Sequence, residues 1–333
     1  MRFGAPDVLV ADEAPDPEPG PGQALVEVAV ADTLHLDTVM RRGAFPFPVV
    51  TPPYVPGGGV AGEVAAVGPG VERGLLGRRV VARTGAGEPA AQTETVARRA
   101  ARDSHSGGYA QRAVVPASTL IPVPAGVDLR RAAALVNDGM TAVLLCEAAG
   151  IRPGDRVLVT PAAGGVGTLL VQAARAAGAR VVGAARGERK LRLALDSGAE
   201  AAADYARADW AERVRDVTGG RGADVVLDGV GGAVGRTSLQ LTAPAGTFLA
   251  YGAPGGEFTP LGDAAPGGMR ALSLPELPMR PGDERRFTER ALAETAAGRL
   301  DPLIGQTFPL ERAAEAHAAI EARNVVGKSL LLT

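Results

Sequence analysis

Six residues, Ala162 to Gly167, read AAGGVG and lie between a β-prone apolar stretch, Val157 to Thr160, and a segment whose Leu169, Leu170, Val171, Ala173, Ala174 and Ala177 share one helical face. Gly164 and Gly167 stand three apart. That spacing lets a backbone come close to a pyrophosphate and a helix pack tightly on its sheet, while free N–H groups at the helix start face the anion. The first glycine of the full G-x-G-x-x-G pattern is Ala162 here, so the spacing alone leaves a ligand-free strand-to-helix turn as the alternative.

The next strand-like stretch, RVVGAA, runs into Arg186, Gly187, Glu188, Arg189 and Lys190. An acidic residue at its end would grip a ribose 2′-hydroxyl, and none is there. Arg186 and Lys190 instead suit a 2′-phosphate, which favours NADPH over NADH; a solvated helix entry is the other reading of the two bases, and Glu188 is free to cap the helix or face water. Other chemistries find little support. His35, His105, His317 and Cys146 are far apart in sequence, so no zinc site is expected, and Cys146 sits at helical apolar spacing as a small core residue. No G-x-S-x-G elbow occurs, and NVVGKS has Ala322 where a phosphate loop needs its first glycine. Ser104, His105 and Ser106 read as an exposed loop.

These residues need a scaffold, and the chain supplies two kinds. Up to about Gly126, Pro and Gly break it into short apolar runs such as ALVEVAV (Ala24 to Val30) and RRVVAR (Arg78 to Arg83), which read as an antiparallel, barrel-like domain. From Asp128 onward strands alternate with helices: RVLVTPA, GTLLVQAARAAG, RVVGAA, a helix opening near Gly187, ADVVLDGV and TFLAYG. That cadence makes right-handed βαβ units and a parallel sheet. ERRFTERALAETAAG and RAAEAHAAIEARN follow with helical spacing, and KSLLLT closes the chain as a strand. The expected fold class is α/β: a doubly wound parallel sheet plus an antiparallel β-barrel domain.

At 333 residues the chain is long enough for two domains. With 35 basic and 37 acidic residues the net charge is −2, which recruits neither nucleic acid nor a membrane surface and leaves small molecules as the expected ligands. One cysteine fits a reducing compartment, and no segment approaches an apolar membrane span, so a cytoplasmic protein is expected.

Taken in order, PYVPGGGVAGEVAAVGPGV (Pro53 to Val71), GGYAQRAVVPA (Gly107 to Ala117), NDGMTAVLL (Asn137 to Leu145), AAGGVG, VVLDGVGG (Val226 to Gly232) and HAAIEARNVVGKSLL (His317 to Leu331) resemble the zinc-independent quinone oxidoreductases, the zeta-crystallin-like branch of the medium-chain dehydrogenase/reductase superfamily. The resemblance implies a split GroES-like domain over 1–127 and 277–333, a Rossmann domain over 128–276, NADPH in the cleft between them, and a homodimer. It puts Leu34, Gly58 and Asn137 where zinc-dependent relatives hold their metal. It implies that Ala163, Gly164, Gly165, Val166 and Gly167 meet the pyrophosphate, that Arg186 and Lys190 meet the 2′-phosphate, and that Tyr205 lies near the adenosine. Tyr251 and Gly252 fall on the ribose and nicotinamide side, and Lys328 approaches the cofactor from the C-terminal segment.

The chain departs from that pattern in three places. The opening strand looks shortened, since RFGAPDVLV follows Met1 directly. Leu34 and Phe45 are apolar where the family often has Asn and Tyr. An extra segment, 85–106, carries Arg98, Arg99 and Arg102, which either shape substrate entry, bind an acidic carrier, or form a solvated surface helix. Hydride transfer needs an acceptor stacked on the ring, water excluded and oxyanion charge stabilised, and a mostly apolar cleft suits quinones or conjugated enones. Tyr54 is the candidate hydroxyl for orienting a carbonyl or donating a proton, or else a core tyrosine bonded to backbone. Asn137, Asp138 and Thr141 border the expected site, with Asp138 also able to cap the following helix. The leading expectation is an NADPH-dependent reductase of quinones or activated C=C bonds. The alternatives are a natural-product tailoring enzyme, such as an enoyl reductase or a cofactor-retaining cyclase, and a non-catalytic NADPH-binding sensor or scaffold.

Overall fold

The computed structural model describes residues 2–44, 51–84, 94–95, 107–261 and 266–333. Phe45 lies outside the described residues, as do Arg98, Arg99, Arg102, Ser104, His105 and Ser106 of the extra segment. The chain divides into two compact units. Met1–Met140, Met279–Ala296 and Pro302–Thr333 form the first, and Thr141–Pro278 with Ala297–Asp301 the second.

The first unit is built on β1 (Gln23–Asp32), whose QALVEVAVAD is buried along most of its length. Along one edge β1 pairs antiparallel with β2 (Gly59–Val67), which pairs in turn with β3 (Arg79–Arg83). On its other edge Gln23 to Glu27 pair with β4 (Arg112–Pro116), and β5 (Ile121–Pro122) extends the sheet beyond β3. Helix α1 (His35–Arg41) follows β1 directly. Val26, Val28, Val60, Val64 and Val80, from the short apolar runs noted in the sequence, meet in the core of this unit.

Helix α2 (Leu129–Ala149) starts at Asp128, whose carboxylate accepts from the N–H groups of Arg130 and Arg131 at 2.9 and 3.0 Å. It widens into a π-helical turn over Leu135–Gly139 and runs on without a break. Asp138 therefore caps nothing; it lies inside the helix with its carboxylate committed elsewhere. Two expectations are revised here. The first half of α2 packs on β1 and β2, carrying the first unit on to Met140 where the sequence placed a boundary before Asp128. In length and apolar composition α2 alone would pass for a membrane span, contrary to the sequence expectation, but most of it is buried within the protein as a core helix.

The second unit holds six parallel strands: β6 (Arg156–Thr160), β7 (Arg180–Ala185), β8 (Ala201–Asp204), β9 (Ala223–Asp228), β10 (Thr242–Ala250) and β11 (Arg270–Ser273). Their order across the sheet is β11-β10-β9-β6-β7-β8. This is the doubly wound order expected from the strand–helix cadence, and the direction of winding reverses between β6 and β9. Helices α3 (Gly165–Ala176), α4 (Glu188–Asp196), α5 (Trp210–Val217) and α6 (Gly232–Gln240) make the connections. Leu158, Val226, Phe248, Trp210 and Val214 lie in its core.

The chain then returns to the first unit. Helix α7 (Asp283–Ala296) packs against the π-helical turn, so closely that a Cβ on Gly139 would stand 2.9 Å from that of Ala291. Helix α8 (Ala313–Glu321) packs on α1, where the fully buried Arg41 is paired with Glu321. Strands β12 (Ile304–Pro309) and β13 (Lys328–Leu332) pair parallel to each other, and β13 joins β1 antiparallel at Val30 to Asp32. The register of β1 shifts between Val28 and Val30, and there it exchanges β4 for β13 as its neighbour. The completed seven-stranded sheet runs β12-β13-β1-β2-β3-β5 with β4 beside β1.

Candidate active site

In the second unit Gly164 is the N-cap of α3, extended at φ −84° and ψ 172°, and no side chain caps the helix. The first turn of any α-helix leaves its N–H groups without intrahelical partners. Here Gly165, Val166 and Gly167 open the helix at the C-terminal end of β6, beside the reversal of winding where open α/β sheets take their ligands. The glycines have different reasons to be glycine. A Cβ on Gly167 would fall 1.9 Å from the Pro161 carbonyl oxygen, so packing requires its absence. A Cβ on Gly164 would meet nothing nearer than 3.8 Å, and the backbone there is one that any residue adopts. Neither conformation nor packing demands glycine at 164. The cradle that a Cβ there would fill, next to uncapped N–H donors, fits a dinucleotide pyrophosphate. Ala163 is buried just before it.

At the end of β7, Arg186 is exposed and Lys190 half-buried in the first turn of α4. The strand end carries no acid, but the fold brings one from β8: Asp204 Oδ2 accepts from Gly187 N at 3.2 Å and Oδ1 from Ala206 N at 2.9 Å. Its carboxylate is thus turned onto backbone, tying the Arg186–Gly187 turn to the segment that carries Tyr205. Tyr205 follows β8 and donates its N–H to Ala185 O, so Arg186, Lys190 and Tyr205 border the same strand ends.

The reversal of winding is stapled by Asp228 at the end of β9, a residue the sequence showed only inside VVLDGVGG. Its Oδ1 accepts from Thr160 Oγ1 at 2.9 Å and from Val230 N at 3.0 Å, and its Oδ2 from Thr259 Oγ1 at 2.8 Å. Tyr251 donates its N–H to Asp228 O and its hydroxyl to Thr160 O, with its ring where a Cβ on Gly229 would stand. Gly252 approaches Gly229 O so closely that its own Cβ would lie 2.6 Å away. Tyr251 and Gly252 are therefore fixed beside the glycine turn.

The first unit brings Leu34, Gly58 and Asn137 together. A Cβ on Gly58 would lie 3.2 Å from Leu34 Cδ1 and 3.4 Å from Asn137 Nδ2. Asn137 Nδ2 donates to Asp32 Oδ2 at 2.8 Å, and Lys328 Nζ lies 3.4 Å from the same oxygen and donates to Asp138 Oδ1 at 2.9 Å. Burial would lower the Lys328 ammonium, but Asp138 and Asp32 outweigh it and hold it above the ordinary lysine value. Asp32 is fully buried, and desolvation raises its carboxyl against the pull of Lys328. Lys328, expected beside a cofactor, is thus packed among carboxylates at 4% exposure.

A second buried chain adjoins it. Asp37 Oδ2 accepts from Leu34 N at 2.8 Å and from Tyr109 Oη at 3.1 Å, and Tyr109 Oη lies 3.0 Å from His317 Nε2. Burial, helped by the charge of Asp32, pushes the Asp37 carboxyl up to about 7. Burial and then Arg41 push the His317 imidazole down to about 3. The Tyr54 hydroxyl is buried without a hydrogen-bond partner among the described residues, and burial with the Asp37 charge raises it to about 12. Its hydroxyl is therefore directed into the protein. Asn137 and Asp138 thus meet in one cluster with Lys328, Tyr54 borders the neighbouring one, and Thr141 belongs to the second unit. Asp32, Asp37 and Tyr109 went unnoticed in the sequence, because nothing local marks a buried carboxylate whose partners lie far along the chain. Among the described residues, no three His, Cys, Asp or Glu side chains group as metal ligands.

Comparison with known proteins fits this geometry. Residues 20–125 match the alcohol dehydrogenase GroES-like domain and residues 165–273 the zinc-binding dehydrogenase family. A 2-haloacrylate reductase from Burkholderia sp is 34% identical over 99% of this chain and 97% of its own. A quinone oxidoreductase from Pseudomonas aeruginosa is 32% identical over the same shares of the two chains. Among solved structures, a mycobacterial protein complexed with NADPH superposes with a TM-score of 0.84 at 31% identity, covering 99% of this chain and 98% of its own. An Escherichia coli quinone oxidoreductase complexed with NADPH superposes with a TM-score of 0.84 at 27% identity, over the same shares. A likeness that runs end to end through both units, over the motifs that build both clusters, shows that the chain belongs to the quinone oxidoreductase, zeta-crystallin-like family of the medium-chain dehydrogenase/reductase superfamily.

Proposed function

We propose that this protein is an NADPH-dependent oxidoreductase that reduces quinones or activated C=C bonds without a catalytic metal. The observation that carries the reading is Gly164. Neither backbone nor packing requires glycine there, and it opens an uncapped helix at the winding reversal of a chain whose full-length relatives are named a 2-haloacrylate reductase and a quinone oxidoreductase. Gly164, Gly165, Val166 and Gly167 would hold the pyrophosphate. Arg186 and Lys190 would hold the 2′-phosphate, Tyr205 would border the adenosine, and Tyr251 and Gly252 the nicotinamide-side ribose. The bound nicotinamide supplies the hydride. The chain's own residues bind, orient and keep water out: the Asp204 carboxylate holds the Arg186–Gly187 turn, and Asp228 locks the ends of β6 and β9.

By the family resemblance, Leu34, Gly58 and Asn137 take the positions where zinc-dependent members of the superfamily hold metal, and neither leucine nor glycine has a side-chain donor to offer a cation. That set of side chains supports the reading that the enzyme works without a metal. Asn137 and Thr141 are read as groups near the acceptor, whereas the Asp138 carboxylate is committed to Lys328 and the Tyr54 hydroxyl is turned into the protein. The Lys328 ammonium acts by holding Asp138 and Asp32 in place. A cytoplasmic homodimer completes the reading, supported by the single cysteine and by the resemblance. The test is loss of NADPH absorbance with a panel of quinones and enones, run on protein whose zinc content has been measured. Turnover of at least one acceptor by zinc-free protein is expected. No turnover of any acceptor, or activity that tracks bound zinc, overturns the reading.

A further inference from the structure

Two residues of opposite charge stand at the ends of adjacent strands without pairing. Asp204 closes β8 directly opposite Ala185, the last residue of β7, and Arg186 is the next residue along from Ala185. An arginine beside a half-buried carboxylate has a ready salt bridge, yet Arg186 is exposed and has no ion-pair partner among the described residues. The carboxylate is committed to backbone instead: Oδ2 accepts from Gly187 N at 3.2 Å and Oδ1 from Ala206 N at 2.9 Å. Gly187 is the N-cap of α4 at φ 81° and ψ 155°, a backbone that essentially only glycine adopts, and no side chain caps the helix. A Cβ there would meet nothing within 4 Å, so conformation and not packing demands the glycine. Its carbonyl accepts from Lys190 N and Leu191 N, each at 3.1 Å. Asp204 therefore holds the residue whose conformation sets both how Arg186 leaves β7 and how the first turn of α4 carries Lys190. Through Ala206 N it also fixes the residue after Tyr205.

Resting on the reading that Arg186 and Lys190 hold the 2′-phosphate, we propose that Asp204 is a positioning residue for coenzyme selectivity: it orients the two bases through the Gly187 N–H, and by staying bonded to backbone it leaves Arg186 open to an anion. NADH lacks the 2′-phosphate, so this contribution belongs to NADPH. A carboxylate acting through its charge alone would do the opposite, since it repels a phosphate and its removal would tighten NADPH. The two effects carry opposite signs.

The test titrates NADPH and NADH into the full-length protein by fluorescence, and follows the 2′-phosphate of bound NADP+ by phosphorus NMR. Asp204→Ala should weaken NADPH by about fivefold or more, the scale of one lost hydrogen bond, and NADH by less than about twofold. The 2′-phosphate resonance should move toward its position in free coenzyme. Asp204→Asn keeps an oxygen that can accept one of the two N–H groups, and should fall between wild type and Asp204→Ala. Gly187→Ala leaves the carboxylate in place but forces the turn out of its backbone conformation, and should lower the NADPH-to-NADH preference in the same direction. Should Asp204→Ala fail to fold, the other two variants decide. A residue that merely supported the fold would weaken both coenzymes alike. Tighter NADPH in Asp204→Ala and Asp204→Asn, equal losses for both coenzymes, or an unchanged preference overturns the proposal. Arg186→Ala with Lys190→Ala separates it from the reading beneath it. A preference lost in that double variant but kept in Asp204→Ala overturns the role of Asp204 alone, whereas a double variant that weakens both coenzymes alike overturns the phosphate assignment and the proposal with it.

Discussion

Single residues decide what the glycine turn is for, and two of its glycines give opposite expectations. Gly167→Ala drives a Cβ into the Pro161 carbonyl and should cost roughly 2–4 kcal/mol of stability, read as a lowered melting temperature. Gly164→Ala adds a methyl to open space, so stability should stay within about 0.5 kcal/mol. NADPH affinity should nevertheless fall by about tenfold in a fluorescence titration, because the methyl occupies the cradle. Unchanged affinity would make the turn a packing device alone. The basic pair has its own signature. Arg186→Ala with Lys190→Ala should weaken NADPH by about 1–3 kcal/mol per lost charge-assisted contact while leaving NADH nearly unchanged, and equal losses for both would refute the 2′-phosphate assignment. The glycines and bases were legible in the sequence, because each is identified by its immediate neighbours. Asp204 was not: it reaches the Arg186–Gly187 turn only because β8 lies beside β7, and strand order is not written in any local window.

Elements, not residues, carry the pH behaviour of the first unit, since α1, α8 and the segment bearing Tyr109 share one buried chain of groups. The Asp37 carboxyl at about 7 binds a proton more tightly in the folded protein than in the unfolded chain at 3.8. Its contribution to stability is therefore present at low pH and lost as pH rises from near 4 to near 7. His317 does the reverse. At about 3 in the fold and 6.5 in the unfolded chain, it costs stability as pH falls through that window. The two slopes oppose and partly cancel in the wild type. Asp37→Asn should unmask a stability that rises with pH between about 4 and 6, and His317→Gln one that falls over the same range, both measured by urea unfolding. Parallel curves for all three proteins would contradict the burial of one or both groups. At the start of α2, Asp128→Ala removes two hydrogen bonds to backbone N–H and should cost about 1 kcal/mol, checked by the same method. Helices α3, α4, α7 and α8 could be read from the sequence pattern, whereas α1, α5 and α6 were not. The π-helical turn at Leu135–Gly139, which packs against α7 and β2, could not.

At the scale of the whole molecule, two compact units with separate cores should respond separately to ligand. NADPH at a hundredfold excess over its dissociation constant should add about 2.7 kcal/mol to whatever unfolds with its site, so calorimetry should show the cofactor moving the second unit's transition. A shift confined to the first unit would misplace the cofactor. By itself the sequence determined the α/β class, the doubly wound sheet, the glycine turn and the basic cluster, because strand–helix periodicity and glycine spacing act over a few neighbouring residues. Only the tertiary structure decided that Asn137 meets Asp32 across 105 positions, that Lys328 meets Asp138 across 190 and that Tyr109 meets His317 across 208. Those pairs exist because β1 trades β4 for β13 at its far end and because α8 packs on α1, and a buried ionic cluster is set by such long-range register, to which no single stretch of chain holds the key.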